Sequence, residues 1–103
     1  MKFPGGGNMQ NMMKQAQMMQ QRLQEEIAAI RVEASAGGGM VTVKLDGHKT
    51  CLGVTIDPEA AGDAEMLADM VMAAFNEAAR KVDEAVQEKL GSLTGGMKIP
   101  GMF

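Results

Sequence analysis

Residues 37–59 read GGGMVTVKLDGHKTCLGVTIDPE, and this stretch decides the fold. Apolar side chains recur at every second position, first as Val41, Val43 and Leu45 and then as Leu52, Val54 and Ile56. A period of two places each set on one face of a β-strand. Asp46-Gly47 between them is a two-residue hairpin signal, because both central positions of a type I′ turn need positive φ. In that register Val41 pairs with Leu52, Val43 with Thr50 and Leu45 with His48, and the six apolar residues share one face that meets the helices. A third strand begins at Val32 and closes through the Gly37–Gly39 turn.

The same register sets Lys44 opposite Lys49 on the far face, a like-charge pair that costs some tenths of a kcal/mol, roughly, unless offset. Glu33 on the neighbouring strand, or simple exposure near the turn, is the favoured reading. An anion such as phosphate is the sharper one.

Outside this stretch the period changes. After a flexible lead-in over residues 1–8, Met9, Met12, Ala16, Met19, Leu23, Ile27 and Ile30 follow at intervals of three and four, one face of a helix from about Asn8 to about Arg31. The remaining positions are rich in glutamine, a good helix former without charge. Beyond Asp57-Pro58, Gly62-Asp63 offers an N-cap and Glu65 an acid in the first turn. Leu67, Met70, Val71, Ala74, Ala78, Val82, Ala85 and Leu90 then form a second stripe, which Gly91 is expected to end as a left-handed C-cap. Residues 91–103 form an apolar, glycine-rich tail carrying Met97, Ile99, Pro100, Met102 and Phe103.

At ~1.5 Å per residue these helices reach about 35 and 40 Å, whereas a compact chain of this size is only about 33 Å across. Three strands cannot cover both, so the stripes continue past the sheet to meet each other or a second copy, and a dimer is the economical outcome.

The composition narrows the function. With 103 residues the chain holds one domain and a modest core. Only Phe3, Phe75 and Phe103 are aromatic, which disfavours base stacking. Ten basic groups stand against 13 acidic ones, six against four in residues 1–56 and four against nine in residues 57–103. A net acidic chain is no strong polyelectrolyte binder, so any nucleic-acid contact falls to local patches. Cys51 is the single cysteine, excluding an intrachain disulfide. Neither a secretory signal nor an apolar run long enough to span a membrane is visible, and a cytoplasmic protein is expected.

No catalytic constellation stands out. His48 and Cys51 fall on opposite faces of their hairpin, which is poor geometry for a nucleophile and its base, and no further soft ligands complete a metal site. The triple glycines lack the strand, helix and Gly-Lys-Ser/Thr context of a phosphate loop. Twelve methionines, five of them in Met9–Met19, read as an adaptable packing seam. Glu77 with Lys81 and Arg80 with Glu84 stand at helical i,i+4 spacing, which neutralises part of the positive charge. No enzyme, cofactor, metal or small-molecule substrate is expected.

With these residues in view, the chain resembles, end to end, the YbaB/EbfC family of bacterial nucleoid-associated proteins. The resemblance rests on the Met/Gln-rich first helix, GGGMVTVKLDG, VTIDPE, LADMVMAAFNEAARK and above all the ending EKLGSLTGGMKIPGMF. It implies a cytoplasmic, nucleoid-located homodimer of α+β fold, with helices projecting from a sheet-containing core like tweezers. It further implies double-stranded DNA as partner and roles in nucleoid organisation and gene expression. The expected architecture is a long N-terminal helix, a three-stranded antiparallel meander, a long C-terminal helix and the tail, with DNA held by backbone contacts of little sequence specificity.

From the residues themselves, the candidate DNA contacts are Lys14, Arg22, Lys44, Lys49, Arg80, Lys81 and Lys89. Candidates for the dimer interface are Met12, Met19, Leu23, Met70, Phe75, Ile99 and Phe103. The competing reading is an adaptor for replication or recombination factors, docked through the Met-rich helix and the tail, with DNA binding incidental.

Overall fold

In a computed structural model, which describes residues 5–93, helix α1 (Gly5–Ala28) leads into strands β1 (Arg31–Ala36), β2 (Val41–Asp46) and β3 (Cys51–Ile56). A short 3-10 turn (Pro58–Gly62) and helix α2 (Ala64–Leu93) follow. The strands form an antiparallel meander in the order β1-β2-β3, so the architecture is α+β, as the two periodicities predict.

Each boundary has a local cause. The Ile30 amide donates to the Ile27 carbonyl at 3.1 Å, tightening the last turn of α1. Arg31, expected at the helix end, instead opens β1, and its Nη1 donates to the carbonyls of Ala28 and Ile30 at 2.8 Å each, satisfying groups the helix leaves unpaired. At the other end α1 already includes Gly5–Gly7, inside the expected lead-in, because extending an existing helix orders one residue per added bond. Asp57 caps the 3-10 turn through the Glu59 amide at 2.9 Å, and Asp63 caps α2 through the Met66 amide at 3.0 Å. Gly91 does not end α2: the helix passes through it to Leu93, and Gly91 is not among the glycines with positive φ. A glycine inside a helix costs only about 1 kcal/mol, too little to break one already extended on both sides.

The β2–β3 hairpin departs from the expected register. Val41 pairs with Ile56, Val43 with Val54, Lys44 with Gly53 and Leu45 with Cys51, with an irregularity between Lys44 and Leu45. The connection is therefore longer than two residues. Asp46 accepts the amides of His48 at 2.8 Å and Thr50 at 3.0 Å, and Lys49 takes the left-handed conformation at φ 63. Asp-Gly signals a turn locally, but an aspartate able to satisfy two loop amides stabilises a wider one. In consequence Lys44 and Lys49 are not cross-strand partners.

The core is thin. Val41, Val43 and Leu45 of β2 are fully buried against Ala34 of β1 and against Ala74, Ala78 and Val82 of α2. Alanine at the α2 contact lets the helix sit close to the sheet, with Leu67, Val71 and Val86 half-buried at its margins. Helix α2 lies over β1 and β2 and leaves β3 uncovered. Leu52, Val54 and Ile56, expected on the covered face, are therefore 49%, 45% and 40% exposed.

Beyond the sheet the two helices run antiparallel, with Lys89 of α2 near Glu26 of α1 at 4.0 Å. The molecule measures 75 × 23 × 16 Å with a radius of gyration of 20.3 Å. A compact chain of this length has about 13 Å, so α1 projects as an arm.

Two stability tests follow from this packing. A Cβ on Gly47 would stand 1.8 Å from the Ile27 carbonyl oxygen, a backbone contact that cannot yield by a side-chain rotation. Gly47→Ala is expected to destabilise the fold by roughly 1–3 kcal/mol, read as a lowered midpoint in urea. The amides of Thr50 and His48, with His48 and Arg31 nearby, hold the Asp46 carboxyl below its ordinary 3.8. A depressed carboxylate contributes stability above its unfolded pKa and loses it as pH falls through the folded one. The Tm gap between wild type and Asp46→Asn is thus expected near neutral pH and closes in acid below that value.

Candidate nucleic-acid interface

Among the described residues, the arm is the part with no protein around it. Every residue from Met9 to Arg22 is exposed, and burial begins only at Leu23, Glu26 and Ile27, where α1 reaches the base of α2 and the β2–β3 loop. Residues 5–24 contain no acid. Lys14 and Arg22 are about 12 Å apart along the axis and about 80° apart around it. Between Lys14 and Arg22, Gln15, Gln17, Gln20 and Gln21 add uncharged hydrogen-bond donors.

The other sequence-predicted cations are engaged elsewhere. Arg80 is clamped on α2 by two carboxylates: Nε meets Glu77 Oε1 at 2.9 Å, Nη2 donates to the same oxygen, and Nη1 meets Glu84 Oε2 at 2.5 Å. Its hydrogen bonds to Glu77 and then to Glu84 raise the guanidinium pKa, and Arg80 in turn holds the Glu77 carboxyl below its usual range. Lys81 does not pair with Glu77; its ammonium lies 2.8 Å from the Glu33 carbonyl and so covers the outer edge of β1. Lys49 reaches Asp83 at 2.9 Å, Lys44 approaches Glu33 at 3.9 Å, and Lys89 sits near Glu26.

Among the described residues, Lys14 and Arg22 are thus the cations without an ion pair or hydrogen bond. The partners Asp83, Glu26 and the Glu33 carbonyl escape sequence reasoning because each is distant along the chain from the cation it meets. Of the Lys44 alternatives, Glu33 is the one the structure places beside it.

The expected association residues separate into groups. Met12 and Met19 are on the exposed arm and Leu23 is half-buried at its base. Met70 packs against the chain's own core, with its sulfur beside Gly37. Phe75 is 37% exposed. At 100° per residue it projects from the flank of α2 that also carries Asp83, whereas Met70 and Lys81 occupy the opposite flank, toward β1. Asp83 meets Lys49 in the loop before β3, so Phe75 is on the β3 side. Ile99 and Phe103 lie outside the described residues.

Nothing in the described residues assembles a reaction centre. His48 and Cys51 are both exposed, with the Cys51 thiol 3.7 Å from the Gly53 carbonyl. Among the described residues no group of three or more His, Cys, Asp or Glu could hold a metal ion, and no helix is long and apolar enough to cross a membrane.

Comparison with known proteins gives a consistent result. Residues 5–97 match the family model described as the YbaB/EbfC DNA-binding family. The chain is 52% identical over 108 aligned positions to a nucleoid-associated protein of Acetivibrio thermocellus, covering 98% of this chain and 96% of that protein. It is 50% identical over 109 positions to one of Alkaliphilus metalliredigens, with the same coverage. The crystal structure of the uncharacterized protein HP0035 from Helicobacter pylori has the same fold, with a TM-score of 0.62 at 23% identity over 75% of this chain and 92% of that one.

Proposed function

The chain belongs to the YbaB/EbfC DNA-binding family, and we propose that it binds double-stranded DNA through the projecting arms of a homodimer, with contacts to the phosphate backbone and little sequence specificity. The observation that carries this reading is the acid-free arm on which Lys14 and Arg22 have no ion-pair partner among the described residues. Phosphate contacts from cations and side-chain amides position a protein on a duplex without reading its sequence. Elsewhere the cations are engaged by the body's own carboxylates or backbone carbonyls, so DNA meets the arms and is repelled by the acidic body. Binding of this kind, acting on the nucleoid, suits the organisation of DNA and the modulation of expression. No catalytic step enters the reading.

The dimer is supported by the uncovered strand. Among the described residues β3 pairs only with β2, leaving an open edge beside exposed Val54 and Ile56, while Phe75 overhangs the same side of α2. An unprotected apolar edge invites pairing, and a second copy offers a self-complementary one. The β1 edge, by contrast, is covered by Lys81. Gly53 at the middle of β3 has no neighbour within 4 Å of the Cβ it lacks, which leaves room for close backbone approach.

Two outcomes are expected. In a salt series by fluorescence anisotropy, Lys14→Gln with Arg22→Gln weakens binding to unrelated duplexes alike and flattens the salt dependence by about 0.9 for each phosphate contact removed. Lys44→Gln with Lys49→Gln serves as the comparison; an equal loss there would take the arm out of the reading. In light scattering the native chain is expected at twice 10.9 kDa. Ile56→Glu should shift it to the single-chain mass while circular dichroism is retained, and a persistent dimer would exclude the β3 edge.

A further inference from the structure

One methionine of the arm stands apart from the others. At about 100° per residue, Met9, Met12, Met13 and Met19 lie roughly 100° to 180° around α1 from Met18, which is itself 67% exposed. Met18 therefore shares a face with the cations and not with the apolar stripe. Lys14 precedes it by one turn and Arg22 follows it by one, each about 6 Å away along the axis and about 40° to either side. Gln15 and Gln21 flank this row at about 60°. Glu25, one turn beyond Arg22 at the base of the arm, is the first acid on the face and closes the track. Among the described residues neither the sheet nor α2 buries Met18, so its thioether gains nothing from packing within the chain.

The spacing suits a groove of duplex DNA. A helix about 10–12 Å in diameter is too thick to enter a minor groove about 6 Å wide, but it can lie across the opening. Cations about 12 Å apart along the helix then stand over the phosphate walls on the two sides, and the side chain midway between them points into the groove. Methionine is unbranched and flexible, and it is one of the apolar side chains able to slip between base steps from the minor groove and kink the duplex.

We propose that Met18 is an apolar wedge for the minor groove, held over it by Lys14 and Arg22 on the phosphates of the two strands. The inference rests on the proposed binding of double-stranded DNA by the arm and deepens it. The arm reads no base through hydrogen bonds; it favours steps that unstack readily, such as TA, over stiff A-tracts. Cations alone would do the opposite, since the narrow groove of an A-tract has the more negative potential. The wedge therefore reverses the preference that charge by itself would give.

The test uses the full chain and two duplexes of equal length and base composition, one with a central TA step and one with an A-tract, each carrying dyes at both ends. Anisotropy is expected to show the TA duplex bound at least about three-fold more tightly, and energy transfer between its end dyes is expected to rise on binding. Met18→Ala keeps a strong helix former at an exposed site; it should lose both effects yet retain the salt slope, because no phosphate contact is removed. Met18→Leu should keep both effects, as should Met13→Ala on the far side of the arm. Binding without the TA preference, a bend that survives Met18→Ala, or an equal loss in Met13→Ala would overturn the wedge while leaving DNA binding by the arm in place. Failure to bind either duplex at low salt would instead remove the DNA-binding reading, and the wedge with it.

Discussion

Everything in this molecule depends on the seam between the alanines of α2 and the centre of β2. Ala74, Ala78 and Val82 lie on Val41, Val43 and Leu45 with no solvent between them, and these are among the few fully buried side chains of the described residues. A narrow contact of small residues brings helix and sheet close, but it covers only two strands. The open β3 edge and the overhang of Phe75 both follow from that geometry. A core this small also leaves two long helices with more apolar surface than the sheet can take. The projection of α1 is the direct consequence.

Charge is arranged around the same frame. Carboxylates on α2 hold Arg80 and Lys49, the β1 backbone holds Lys81, and Glu26 stands near Lys89. Exposed ion pairs of this sort contribute little stability. Their effect on the electrostatic surface is larger, because carboxylates offset much of the positive charge on the body while residues 5–24 of the arm contain no acid. A net acidic protein can thereby present a basic element to a polyanion. The acid-free run through residues 5–24 is visible in the sequence, whereas the neutralisation elsewhere is a property of the folded chain.

Local determinants account for what sequence reasoning located well and where it slipped. The helices and the three strands were legible because apolar period is a property of each segment alone. The Asp63 cap was legible because an N-cap acts on amides two or three residues away. The β2–β3 register was not: Asp46 takes up two loop amides, and Gly47 sits against the Ile27 carbonyl, a contact with a segment about twenty residues earlier. The stop expected at Gly91 failed for a related reason. Glycine permits a left-handed cap without enforcing one, and helical geometry persists to Leu93.

By itself the sequence determined the elements, their order, the family and the charge pattern of the arm, since all of these are carried by residues near one another in the chain. Tertiary structure decided which apolar faces are covered and which cations remain available. Alternation placed Val54 and Ile56 on the same face as Val41 and Val43, and only the path of α2 left the first pair open. Spacing allowed Lys81 to pair with Glu77, and only the approach of β1 drew it to the Glu33 carbonyl. Coverage and pairing depend on segments distant in sequence, and periodicity holds no information about where those segments come to rest.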